Sequence, residues 1–146
     1  MANKIDNVVD AIEAKLKAGL VKADGTGVLK AVKRGVVSPF TERNPPVAAL
    51  AVSRLSRESS TWTAEVLLML VANAGGVSCD ERVTDLIARI DDKIVELINA
   101  GSSGGCIDRP VWDFWYALAQ RDQPLQHVGA MGTLRIRVED PLLIED

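Results

Sequence analysis

The side chains with the strongest chemical potential in this 146-residue chain are few and scattered. His127 is the single histidine, and an imidazole titrates close enough to neutrality to act as a general base. Its neighbours Gln126, Val128 and Gly129 include no nucleophile for it to activate, so an ordinary surface or loop position is the simpler reading. Cys79 falls at the start of a predicted helix, where the positive end of the macrodipole lowers a thiol pKa, but no histidine lies near it in sequence. Cys79 and Cys106 lack metal-ligand spacing and are read as reduced thiols of a cytoplasmic product. Asp91-Asp92 resembles a carboxylate dyad. Adjacent helix positions point about 100° apart, however, which makes the pair a solvated helix face. Gly25-Thr26-Gly27 lacks the third glycine and preceding strand of a dinucleotide fingerprint, and no Lys-Ser/Thr follows. It is read as a turn, and Gly75-Gly76 and Gly104-Gly105 serve backbone geometry in the same way. Together these patterns predict no catalytic set, no cofactor and no metal.

Residues suited to contact stand out more. Four of the six aromatics fall within Trp112-Asp113-Phe114-Trp115-Tyr116. Large rings anchor protein interfaces and also plug domain cores; both readings stand. As a strand, Trp112, Phe114 and Tyr116 share one face; as a helix, Trp112, Trp115 and Tyr116 cluster. A second candidate arm runs from Ser38 to Pro46, stiffened by Pro39, Pro45 and Pro46, with Phe40 and Arg43 as its contact residues; a plain inter-strand loop is the alternative. Arg135 and Arg137 lie on the polar side of a predicted strand, as pairing residues or as solvated strand charges.

These residues need elements to hold them. Ile5, Val8, Val9, Ile12 and Leu16 recur at helical spacing, and Gly19 is placed to stop the helix. Three strands are predicted next. Val28–Gly35 carries charges that suit an edge, Val47–Arg54 is small and apolar, and Trp62–Ala72 is apolar nearly throughout, as in a covered central strand. A polar hairpin loop, Ser56 to Ser60, joins the last two. Ser78 and Glu81 match a capping box, and Val83, Leu86, Ile87, Ile90, Ile94, Leu97 and Ile98 form the helical stripe behind it as far as Asn99-Ala100-Gly101. Asp85 and Arg89 are spaced to pair on its solvent side. Residues 102–131 form an extended irregular segment, long enough to be a contact arm or to conceal an element. Leu134, Ile136 and Val138 then alternate with Thr133, Arg135, Arg137 and Glu139 in a half-buried strand ended by Pro141.

The predicted fold is α+β over a single domain, residues 1–146: a mixed, largely antiparallel four-stranded sheet packed by two helices, in the order α-β-β-β-α-long loop-β. A hydrophobic fraction of 47%, a charged fraction of 25% and a net charge of −3 suit a globular domain. No basic cluster exceeds Lys33-Arg34, which argues against dedicated nucleic-acid binding. The N-terminus continues directly into an amphipathic pattern without a signal peptide's apolar core. The longest apolar run, Val66 to Ala72, is too short to cross a membrane.

The whole order resembles the tail terminator proteins of long-tailed bacteriophages and related head–tail joining proteins. It rests on the helix from Asn3 to Leu16, the Pro-bearing loop before Val47-Ala48-Ala49-Leu50, the long second hairpin strand, the Ser78–Asn99 helix and the closing strand Leu134-Arg135-Ile136-Arg137-Val138. The resemblance implies a non-enzymatic virion structural protein at the tail–neck junction, assembled in the host cytoplasm. Its subunits would form a six-fold ring on the last ring of tail tube protein, stop tube growth and receive the neck protein. DNA would pass through the lumen without specific binding. Another head–tail connector or neck protein is the alternative within the class, and a small cytoplasmic ligand-binding or regulatory module the one outside it. On the ring reading Trp112, Phe114, Trp115, Tyr116, Arg135, Arg137, Phe40 and Arg43 are the expected interface residues.

Overall fold

Two amphipathic helices and a five-stranded sheet follow from the hydrophobic periodicities, with one strand more than the alternation predicts. The computed structural model describes residues 4–21, 27–35, 46–73, 79–100, 107–115 and 127–139. Helix α1 is Lys4–Leu20, followed by strands β1 Ala31–Arg34, β2 Val47–Glu58 and β3 Thr61–Asn73; helix α2 is Cys79–Ala100, and β4 Val111–Trp115 and β5 His127–Glu139 close the order. The sheet runs β1-β2-β3-β5-β4, with β1 parallel to β2 and every other pairing antiparallel.

The core lies between one sheet face and the helices. From α1 it takes Ile5, Val8, Val9, Ile12, Leu16 and Leu20, and from α2 Leu86, Ile90 and Ile94. The sheet contributes Ala48 and Leu50 of β2, the alternate residues Ala64, Val66, Leu68, Leu70 and Ala72 of β3, and Ala130, Leu134 and Ile136 of β5. Strand side chains alternate between faces, so each of these names its neighbours as outward-facing. On that opposite face Val47, Ala49 and Val71 form a small buried cluster with Ala31 and Met69 packed on it.

Ion pairs stitch the layers at the surface. Arg34 donates to Asp10 Oδ1 at 2.6 Å and lies near Glu13 and Asp6, tying β1 to α1. Lys15 of α1 meets Glu96 of α2 at 3.0 Å, with Lys93 at 3.5 Å from the same carboxylate. The Lys15 hydrogen bond, then the charges of Lys15 and Lys93, hold the Glu96 carboxyl below its usual range. Asp85 and Arg89 pair at 3.0 Å, as their spacing predicts.

Several expectations need correction. The sheet has five strands, because residues 102–131 contain β4 and the first part of β5. Both were hidden by composition: His127-Val128-Gly129-Ala130-Met131-Gly132 has glycines where an alternating pattern needs side chains. Gly19 does not stop α1, which continues to Leu20. A Cβ at Gly19 would sit 2.8 Å from Lys93 Cε, so the glycine makes room for the Lys93 stem crossing from α2. The polar stretch from Ser56 to Ser60 is mostly strand, and the turn is only Ser59-Ser60, with Ser59 at φ 57°. The aromatic stretch is strand as far as Trp115. Ser78 of the capping box, the turn at 23–26, the Pro-bearing arm with Phe40 and Arg43, Tyr116 and Pro141 all lie outside the described residues.

Candidate assembly surfaces

The sheet is wide at one end and narrow at the other. β1 pairs only with Val47–Leu50 of β2, and β4 only with Gly129–Thr133 of β5. Beyond them β2, β3 and β5 continue as a three-stranded tongue ending at the Ser59-Ser60 turn. A β-bulge at Ser53, where the register shifts between Val52 and Arg54, marks the root of the tongue. There the Ser53 hydroxyl donates to the Glu65 carbonyl at 3.2 Å.

The tongue's helix-side face is buried along β3 and β5, where Ala64, Val66 and Ile136 belong to the core, and exposed along β2. Val52 is 38% exposed and Leu55 46%, and the register places them in line with Val66 and Ala64 of β3. Trp62 lies on the same face between Arg57 and Val138. The Arg57 guanidinium stands 5.6 Å from the centre of its ring, a cation–π distance. Its Nε1 is buried without an acceptor among the described residues, a polar group left to be satisfied. The opposite face of the tongue is polar. Arg135 lies opposite Glu65 with 3.7 Å between their charged atoms, and Arg137 donates Nε and Nη2 to Asp108 Oδ2 at 3.2 and 2.7 Å. Both arginines are exposed, yet each is already engaged within its own subunit.

The aromatic stretch divides. Trp112 faces the helices: its ring occupies the space a Cβ would take on Gly132, with Cε3 2.8 Å from that position. Its Nε1 donates to Asp91 Oδ1 at 3.3 Å, and Arg109 reaches Asp91 Oδ2 at 3.1 Å. Asp91 is therefore the half-buried anchor of β4 on α2, where the sequence suggested a solvated carboxylate; Asp92 is exposed as expected. Phe114 and Trp115 pair in register with Ala130 and Gly129. Val111, beginning this outermost strand, is 69% exposed. Of the expected interface residues, β4 and β5 bring Trp112, Phe114, Trp115, Arg135 and Arg137 to one flank of the sheet. Val52 and Trp62 fall inside the predicted strands, whereas Leu55 and Arg57 fall at and within the predicted hairpin loop, because polar neighbours disguise the end of β2.

His127 opens β5 opposite Asn73, at the wide end of the sheet, and Cys79 opens α2. Among the described residues no group of His, Cys, Asp or Glu is arranged to hold a metal ion, and no helix is long and apolar enough to cross a membrane. No known protein family's model matches the chain, and no curated protein does.

Proposed function

We propose that the protein is a virion assembly subunit, a tail terminator that forms a ring on the end of the tail tube, halts its polymerisation and joins it to the neck. The observation that carries this is the inequality of the subunit's surfaces. One flank of the sheet ends in the short parallel β1, the other in β4 with Val111 exposed, while the two described helices pack on one sheet face and the other carries the small cluster of Val47, Ala49 and Val71. A ring built head to tail needs two unlike, complementary flanks, and a ring that meets different partners above and below needs unlike faces. Uncovered apolar side chains at Val52, Leu55 and Val111 add contact-type surface. A net charge of −3 is compatible with a lumen that lets DNA pass.

The test is electron microscopy of the purified protein, alone and mixed with polymerised tube protein, beside light scattering for mass. Rings alone, or caps on tube ends, are expected. A protein that stays monomeric and never decorates tube ends overturns the assignment.

A further inference from the structure

Among the described residues the tongue leaves one strand edge unpaired, and its charge pattern is complementary to itself. β2 is joined to β1 only as far as Leu50, whose carbonyl accepts from Gly35 N–H at 2.8 Å. From Val52 to Glu58 every residue of β2 is exposed. Glu58 and Thr61 flank the two-residue turn, so they are a hydrogen-bonded pair, and the alternation of an antiparallel ladder makes Ser56–Thr63 and Arg54–Glu65 hydrogen-bonded pairs too. The peptide groups of Leu55 and Arg57 consequently point away from β3 to the open edge. Counting from the other end agrees: Leu50 faces the β1 side, and the bulge residue Ser53 moves the outward phase from even to odd positions.

We propose that this edge pairs antiparallel with the same edge of a second copy of the chain, about a two-fold axis at Ser56. Leu55 and Arg57 then exchange backbone hydrogen bonds with Arg57 and Leu55 of the partner subunit. Ser56 meets Ser56 of the partner subunit at a non-hydrogen-bonded site. Arg54 lies opposite Glu58 of the partner subunit, and the symmetry repeats that pair.

Within one chain Arg54 and Glu58 are exposed on the same face and have no ion pair with any described residue. The pairing supplies a partner to both. Other registers fail: a one-residue slip turns the faces against each other. A two-residue slip one way sets Arg57 on Arg57 of the partner subunit; the other way, it leaves Arg54 facing Ser56 of the partner subunit. Bulges and charges normally guard an edge against indiscriminate pairing, and here they leave one register in which opposite charges meet, the mark of a selective contact. The contact rests on this edge alone and holds whether or not the subunit forms rings.

Cross-linking tests it directly. Opposed residues at a non-hydrogen-bonded site have Cα atoms about 4.5 Å apart, within the range a disulfide spans. The variant Ser56→Cys should therefore form a disulfide-linked dimer under mild oxidation. Ser60→Cys, at the turn and outside the paired register, measures random collision, and the wild type measures the background of Cys79 and Cys106. Adding Glu58→Arg to Ser56→Cys should slow cross-linking at least about tenfold, since each ion pair becomes a like-charge pair. Adding Arg54→Glu as well should restore it by swapping the charges. Circular dichroism of each variant confirms that the subunit is folded. Cross-linking at Ser56→Cys no faster than at Ser60→Cys overturns the proposal, as does indifference to Glu58→Arg or failure of the swap to rescue.

Discussion

At the scale of single residues, Trp112 and Gly132 form one unit: a ring on one strand uses the space left by a missing side chain on the next. Gly132→Ala places a methyl group 2.8 Å from the Trp112 ring, and one of the two must shift. A loss of about 1–3 kcal/mol, read from urea unfolding, is expected from overpacking; an unchanged midpoint would contradict the contact. Trp112→Phe keeps most of the ring and removes the Nε1–H donated to Asp91. Asp91 retains Arg109, so the cost should be near that of one hydrogen bond, about 0.5–1.5 kcal/mol. Ser59 holds φ 57°, a left-handed conformation that is costly with a Cβ and free for glycine. Ser59→Gly should therefore raise stability by roughly 0.5–1 kcal/mol in the same assay, and Ser59→Val should lower it.

Between elements, the surface charges decide how α1, α2 and β1 are held. Lys15, through its hydrogen bond and charge, and Lys93 converge on Glu96 and hold its carboxyl pKa below the usual carboxylate range. A carboxylate with a lowered folded-state pKa stabilises the fold above its unfolded value, and the contribution drains as pH falls through the folded one. Glu96→Gln should thus lower the melting temperature slightly at neutral pH, the exposed pair being partly screened, and the difference should vanish at acid pH, which flattens that side of the profile. A parallel displacement at every pH would mean the effect is packing rather than charge. Legibility from sequence followed the same division of elements. α2 and the long β3 were plain, because an unbroken apolar stripe at period 3.6 and an apolar run of strand length have few rivals. β4 and the start of β5 were not, since Trp112 and Gly132 are each half of a contact that sequence separates by a long interval. Nor was the tongue, where Leu55 between Arg54 and Ser56 looks like loop composition until its pairing with Ala64 is known. Asp91 departs from its sequence reading for a related reason: a helix position is solvated or covered according to what packs on it, and Arg109 and Trp112 come from elsewhere in the chain.

For the whole molecule, the proposed ring raises the question of which flank would meet which neighbour. Val111 sits on the outermost strand, 69% exposed, in register with Thr133 on the face away from the helices. Its side chain therefore adds little to the stability of an isolated subunit, and its replacement by glutamate should stay within about 0.5 kcal/mol of wild type. In a head-to-tail ring the same position falls at or beside the joint, where a buried unpaired carboxylate costs several times more. Every joint repeats that cost, so Val111→Glu should leave the melting temperature nearly unchanged and shift the assembled mass toward monomer by at least about tenfold in protein concentration. Light scattering across a dilution series gives the comparison directly. Intact assembly in a folded Val111→Glu variant would remove β4 from the joint and leave the helix layer and the β1 flank to supply it. Loss of assembly together with retained Ser56→Cys cross-linking would separate the two contacts, assigning the flank to the ring and the tongue to the two-fold pair.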